Sequence, residues 1–236
     1  MLELVKEKPL VEIRGLTKNF GYVTALDDVD INIPRGEIIG LLGENGSGKT
    51  TLLKVLAGLY MRYDGSVLID GERPSHITKA KVSYLPDTVR FYGVKTPEEV
   101  MGFYNTYFDD FDEERCRSLL QRFELEPERN FREMSKGMVE KVQLSVVMAR
   151  KADLYLLDEP IGGVDGGARE VVMDAILEGF DYRSSIVIVT HHIHDMERLF
   201  DSIIVLKKGR VVGEGLCEEL VAREKRPLEE IVRAMK

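Results

Sequence analysis

The sequence predicts an α/β fold: a core of parallel strands, an antiparallel β subdomain at its start and an inserted α-helical subdomain. Three observations carry that expectation. Short continuous apolar runs, "EIIGLLG" (37–43), "ADLYLLDEP" (152–160) and "SSIVIVT" (184–190), suit strands buried on both faces. Nearer the start, "LVEIRGLTKNF" and "VDINIP" alternate apolar and polar residues, as half-buried antiparallel strands do. Between the two halves of the core, residues 88–150 change to helical spacing.

The elements follow in order. After the apolar run 37–43, "KTTLLKVLAGLY" has helical apolar spacing. "GSVLIDGERP" is a strand ending in a D-G turn, and "KAKVSYLP" is a further strand. In the insert, "TPEEVMGFYNTYF" opens with a capping-box-like Thr96–Glu99 and with Pro97 at the first helical position. "DEERCRSLLQRFEL" continues as a second helix, and "SKGMVEKVQLSVVMARK" is a third, starting at Ser135. The helix "GGAREVVMDAILEGF" separates the last two buried strands, and "DSIIVLKKGRVVGEG" is a hairpin turning at Lys208–Gly209. A charged amphipathic helix over 216–236 completes a single domain spanning 1–236. Its core is expected over 1–87 and 151–215, with the helical subdomain over 88–150.

Composition bounds the function. A chain of 236 residues buries enough surface to need no disulfide or metal staple. A hydrophobic content of 44% with 31% charged residues is that of a soluble globular protein. The formal charge of −8 argues against a broad nucleic-acid footprint. Cys116 and Cys217 lie far apart, without redox or metal spacing, and are expected as free thiols. "MLELVKEKPL" lacks the apolar core of a signal peptide, and no run approaches the roughly 18 apolar residues of a membrane span. Work at a membrane would need the span of another chain.

"GENGSGKT" (43–50) matches G-x-x-x-x-G-K-[ST] between a strand and a helix, which makes the core that of a P-loop NTPase. Gly43, Gly46 and Gly48 let the backbone bend towards an anion, and successive N–H groups with the helix N-terminus cradle phosphate oxygens. Asn45, Ser47 and Thr51 complete the expected nucleotide contacts. Lys49 is placed to neutralise the β- and γ-phosphates, and the Thr50 hydroxyl to bind Mg2+. No "NKxD" segment for reading guanine is present, which favours ATP over GTP.

The next part of the site is the acidic pair that ends "ADLYLLDEP". Neighbouring side chains on a strand point to opposite sides. Asp158 is therefore expected to bind Mg2+, through water or Thr50, while Glu159 faces the attacking water as general base or as the group that orients it. "IVIVTHH" supplies a third strand tip, where a histidine can reach a γ-phosphate; His191, His192 and His194 all stand within reach of that role.

These parts, in this order, resemble the nucleotide-binding subunit of an ABC transporter over nearly the whole chain. The phosphate loop is similar to the family's Walker A motif, and "LYLLDEP" to its Walker B motif with the catalytic glutamate. "MSKGM" (134–138) stands where the family has "LSGGQ": Ser135 and Gly137 match, whereas Lys136 and Met138 depart. "GGVD" resembles the D-loop, which implies a dimer-interface place for Asp165, and "VTHH" implies that His191 is the switch histidine. Phe20 falls where an aromatic ring stacks on adenine, with Tyr22 as the alternative. In "YLPDTVR", Asp87 stands where the family's glutamine meets magnesium and the attacking water. Aspartate is a hard oxygen ligand, so metal and catalytic roles are both expected of it, although it is one methylene shorter and adds negative charge.

The resemblance implies the ABC ATPase architecture, ATP and Mg2+ as ligands, and ATP-driven closure of a dimer with a second ATP-binding subunit. Each ATP would then meet Ser135 and Gly137 of the opposite subunit. A helix start bearing a hydroxyl and free N–H groups favours a γ-phosphate, so that arrangement is physically sensible. A separate transmembrane permease is the implied partner, with Phe91 and Tyr92 as contact candidates, and the cytoplasmic face of the cell membrane is the implied location. The compact form and the "SKGM" and "YLPD" variants point to bacterial export or antibiotic response. The alternative is a non-transport ABC ATPase acting as an accessory in assembly or repair. A P-loop kinase would leave "MSKGM", Asp165 and the histidine unexplained.

Overall fold

Alternation near the chain start does build an antiparallel layer. In the computed structural model, which describes residues 8–88, 91–164 and 166–235, β1 (Val11–Phe20) pairs antiparallel with β2 (Val23–Ile33) and with β4 (Asp64–Ile69). The inward residues Val11, Ile13 and Leu16 of β1 are fully buried, which is why the register is fixed. The D-G turn after β4 has positive φ at both Asp70 and Gly71.

The second sheet has the order β5 (Val82–Leu85), β6 (Leu154–Asp158), β7 (Ser185–Val189), β3 (Ile38–Gly43), β8 (Ser202–Lys207) and β9 (Arg210–Leu216). Its neighbours are parallel except for the final β8–β9 hairpin, whose turn has positive φ at Lys208 and Gly209. Both faces are covered. Leu41, Leu154, Leu156 and Val187 face a core shared with the antiparallel sheet and α1 (Lys49–Leu56). Leu42, Tyr155, Leu157 and Ile186 face a second core built with the insert and α6 (Gly166–Gly179). Burial on both sides explains the uninterrupted apolar runs.

Two elements differ from expectation. The segment read as one strand over 79–86 begins as helix: α2 (His76–Lys81) is capped by Ser75, and β5 starts at Val82. The tail read as one helix is two, α8 (Cys217–Glu224) and α9 (Leu228–Met235), following a short α7 (Ile193–Met196). Lys225 takes φ 53°, and Pro227 has no N–H to continue a ladder, so the chain breaks there. Leu228, Ile231 and Val232 of α9 are buried in the second core, so this helix is an integral part of the fold.

The insert contains α3 (Pro97–Tyr107), α4 (Glu113–Arg122) and α5 (Lys136–Met148). Thr96 Oγ1 accepts from Glu99 N, while the Glu99 carboxylate accepts from Lys95 N, one residue earlier than a capping box requires. Arg150, 3% exposed, fastens the insert to the core. Its guanidinium donates to the Asp110 carboxylate at 2.9–3.1 Å, to Val82 O at 2.8 Å and to Ala80 O, and lies 4.0 Å from the Phe108 ring centroid. A buried cation stays charged at tolerable cost when it is saturated in this way.

Candidate functional site

The three strand tips singled out in the sequence meet because β6, β7 and β3 are neighbours and parallel. Their C-terminal ends share one edge of the sheet, the usual place for ligands in such folds. There the phosphate loop, Asp158, Glu159 and His191 surround a cavity of about 530 Å3.

The loop requires glycine at its ends. Gly43 has φ 152°, and a Cβ there would lie 2.3 Å from Leu206 O and 2.6 Å from Ser47 Oγ. Gly48 has φ 109° at the N-cap of α1, and a Cβ there would lie 2.5 Å from Ala25 O. The β8–β9 turn supports the loop from below, with Gly209 N donating to Ser47 O at 2.9 Å. Lys49, 8% exposed, folds its ammonium back onto Gly43 O (2.9 Å) and Glu44 O (2.8 Å). The loop thereby holds its own cation where phosphate oxygens would enter.

The acidic pair departs from the strand geometry expected of it. β6 ends at Asp158, and Glu159 takes φ 54°, a conformation that non-glycine side chains rarely adopt. The turn, not strand alternation, separates the two carboxylates. Asp158 is 2% exposed, and burial pushes its carboxyl up to about 6. The Thr50 hydroxyl, donating to it, and Lys49 pull the other way, while Asp87 and Glu159 add to the rise. Glu159 Oε1 lies 2.9 Å from His191 Nδ1, and Glu159 Oε2 accepts from His191 N at 3.4 Å. His191 is thus the histidine beside Glu159. The His192 ring lies tilted against it, with centroids 4.1 Å apart, and faces Asp195 at 3.9 Å, and His194 faces Glu197 at 3.9 Å.

Mg2+ fits these residues. Thr50 supplies a hydroxyl oxygen and Asp87 and Asp158 supply carboxylate oxygens to the lining of one cavity, the hard donors that Mg2+ takes. Among the described residues no group of three or more His, Cys, Asp or Glu side chains forms a metal cage. That suits an ion which takes one or two carboxylates and completes its shell with water and nucleotide phosphates.

Asn45, Gly46, Gly48, Lys49, Thr50, Thr51 and Asp87 line the cavity together with Asp158, Glu159 and His191. Gly43 and Ser47 lie beneath it, shaping the loop. Phe20 is not in its lining: the ring packs edge-on to Tyr60 at 5.2 Å, with Lys18 Nζ 4.6 Å from its centroid. Tyr22 projects fully into solvent. Val23, Thr24 and Ala25 form the adjoining wall; as ordinary strand residues they carried no sequence signal. Ser135 and Gly137 also lie outside this cavity, at the start of α5. Ser135 Oγ accepts from Met138 N at 3.2 Å, which leaves its O–H free to donate. Lys136 Nζ is 3.4 Å from Glu140 Oε1, and the Met138 side chain packs against the core, so both departures from the family motif have local partners. Asp165 lies outside the described residues.

The comparisons with known proteins agree with this geometry. The ABC transporter family model matches residues 26–162. An ABC transporter ATP-binding protein of Methanocaldococcus jannaschii is 34% identical over 218 residues, covering 90% of this chain and 80% of its own. The aliphatic sulfonates import ATP-binding protein SsuB of Zymomonas mobilis is 34% identical, covering 91% and 88%. The Nod factor export ATP-binding protein I of Ralstonia nicotianae is 30% identical, covering 92% and 70%. Among solved structures, an ATP-binding subunit of an ABC transporter superposes with TM-score 0.85 at 27% identity, over 96% of this chain and 99% of that one. A dimeric cassette in a post-hydrolysis state, bound to ADP and Pi, superposes with TM-score 0.77 at 24% identity, over 87% and 98%. The chain therefore belongs to the ABC transporter family, as an ATP-binding subunit with the P-loop NTPase fold.

Proposed function

We propose that this chain binds Mg2+-ATP at the phosphate-loop cavity, hydrolyses it in a dimer with a second ATP-binding subunit, and drives a separate membrane permease. The observation that carries the reading is one cavity walled by the phosphate loop, the Asp158–Glu159 pair and His191, with the Ser135 helix start lying apart from it. Lys49 exchanges its loop carbonyls for the β- and γ-phosphates, and the N–H groups opening α1 hold their oxygens. Bound Mg2+ supplies positive charge across the phosphates. Glu159 takes the proton of the attacking water, and His191, already hydrogen-bonded to it, reads the γ-phosphate. Asp87, two residues past β5 where the chain leads into the helical insert, would help Thr50 and Asp158 hold the metal. Phe20 meets adenine by leaving Tyr60 as the nucleotide enters.

In this reading the dimer places Ser135 and Gly137 of one subunit against the ATP of the other. A dimeric state of a structural relative supports this, as does the free Ser135 O–H. No helix among the described residues is long and apolar enough to cross a membrane. In this reading a separate permease supplies the span, and this subunit docks on its cytoplasmic face. Tyr92, 79% exposed, and a groove of about 350 Å3 lined by Phe91, Val94 and Phe131 offer the docking surface. Phe91 is only partly available, because it stacks on Phe131 at 4.7 Å. The "SKGM" and "YLPD" variants are what supports export or antibiotic response within this reading.

Co-purification with the membrane partner, followed by ATPase assays in proteoliposomes with transport read in both directions, tests the proposal. Mg2+-ATP hydrolysis stimulated by substrate, with outward transport, is the expected result. A chain that hydrolyses ATP but captures no membrane protein would favour the accessory ATPase.

A further inference from the structure

Glu140 has no part in the site described so far. It lies on α5, the helix whose start carries Ser135 and Gly137. Its carboxylate is laid across the backbone of Gly163: a Cβ built on Gly163 would lie 1.7 Å from Oε2 and 2.8 Å from Oε1. Gly137 touches the same loop, since a Cβ there would lie 2.7 Å from Gly163 O. Glycine at both positions is what lets the helix approach the turn that follows Glu159. Oε1 of Glu140 faces Lys136, but Oε2 is buried and accepts no hydrogen bond from the protein. Buried polar atoms of this kind call for a partner. Beside it is a small cavity of about 10 Å3, whose walls include Asp87, Glu140, Asp158 and Glu159. That is the space of about one water molecule. Asp158, 2% exposed, contributes a second buried oxygen, Oδ2, that accepts no hydrogen bond. One water has two hydrogens to give, and two acceptors stand unfilled.

We propose that Glu140 is a positioning residue for hydrolysis: its Oε2 and Asp158 Oδ2 accept the two hydrogens of one water in this cavity, joining the helix of Ser135 and Gly137 to the turn that carries Glu159. The motif that would face the other subunit's ATP is thereby held in register with the chemistry of its own subunit. The inference rests on the reading of Glu159 as the residue that activates water.

Steady-state ATPase kinetics of the full chain, with thermal unfolding of each variant, provide the test. Glu140→Gln keeps an acceptor oxygen and is expected to hold kcat and KM for ATP within about twofold. Glu140→Met has similar length but no acceptor. It should lower kcat about tenfold, the rate equivalent of one hydrogen bond, with KM and Tm held. Gly163→Ala, whose methyl displaces the carboxylate, should lower kcat similarly and add little in the Glu140→Met background. Equal kcat for the Gln and Met variants, or a loss confined to KM, would overturn the inference. A wild-type chain inactive towards ATP, or one as active as its Glu159→Gln variant, would sink the functional reading instead.

Discussion

Asp158→Asn should make the metal- and nucleotide-free protein more stable while abolishing its hydrolysis. The Asp158 carboxyl is 2% exposed and is pushed up from 3.8 to about 6, chiefly by burial. At 1.36 kcal/mol per pH unit, that rise corresponds to about 3 kcal/mol of folding stability lost once the group is ionised. The direction follows from proton binding. Between pH 3.8 and about 6 the folded chain holds this proton more tightly than the unfolded chain, so stability falls as pH rises through that window. Asparagine cannot ionise and still accepts a hydrogen bond from Thr50, but its amide keeps part of the burial cost. The net gain above pH 6 should therefore be about 2 kcal/mol, or about 4–8 °C in Tm for a chain of this size. Below pH 6 the difference should shrink by about 1.4 kcal/mol per unit as the wild-type carboxyl takes up its proton. Urea unfolding in EDTA at pH 8, 7, 6 and 5 measures it. A variant less stable than wild type at pH 8, or a difference that does not change with pH, would refute the reasoning. Such a gain would identify Asp158 as a residue kept for binding at the expense of the free fold.

Three other outcomes follow from the same geometry. Glu159→Gln should leave nucleotide binding intact, cut hydrolysis by at least about a hundredfold, and accumulate an ATP-bound dimer on gel filtration; wild-type turnover would remove Glu159 from the chemistry. Asp87→Gln should retain ATPase activity, whereas Asp87→Ala should lower it or uncouple it from the permease and shift its Mg2+ dependence; an Ala variant unchanged in both assays would make Asp87 an ordinary loop residue. Arg150→Met leaves the partly buried Asp110 carboxylate without its main partner, and should cost about 3 kcal/mol in urea unfolding by loosening the insert from β5; a loss below about 1 kcal/mol would mean that this contact does not fasten it.

Much of the site was legible because its chemistry is local. The phosphate loop needs glycines, a lysine and a threonine within eight residues, and a buried strand must precede it; both conditions are met by adjacent positions. The caps at Thr96 and Ser135 and the turn at Lys208–Gly209 were equally readable, since each is a hydrogen bond or backbone conformation set by neighbours. Where local signals competed, reading the sequence went astray. "KAK" has a helical alternative that the Ser75 cap selects, and the tail helix could not continue past Lys225 and Pro227.

By itself, then, the sequence determined the α/β class, the phosphate loop and the acidic strand end, because apolar period and turn chemistry are written in consecutive residues. Tertiary structure alone decided that His191 Nδ1 meets the Glu159 carboxylate, that Glu159 is set by a left-handed turn, that Phe20 rests on Tyr60, and that Glu140 lies across Gly163. Each of these is a contact or conformation fixed by packing between segments distant in the chain, and periodicity along the chain carries no record of which distant segment a side chain will meet.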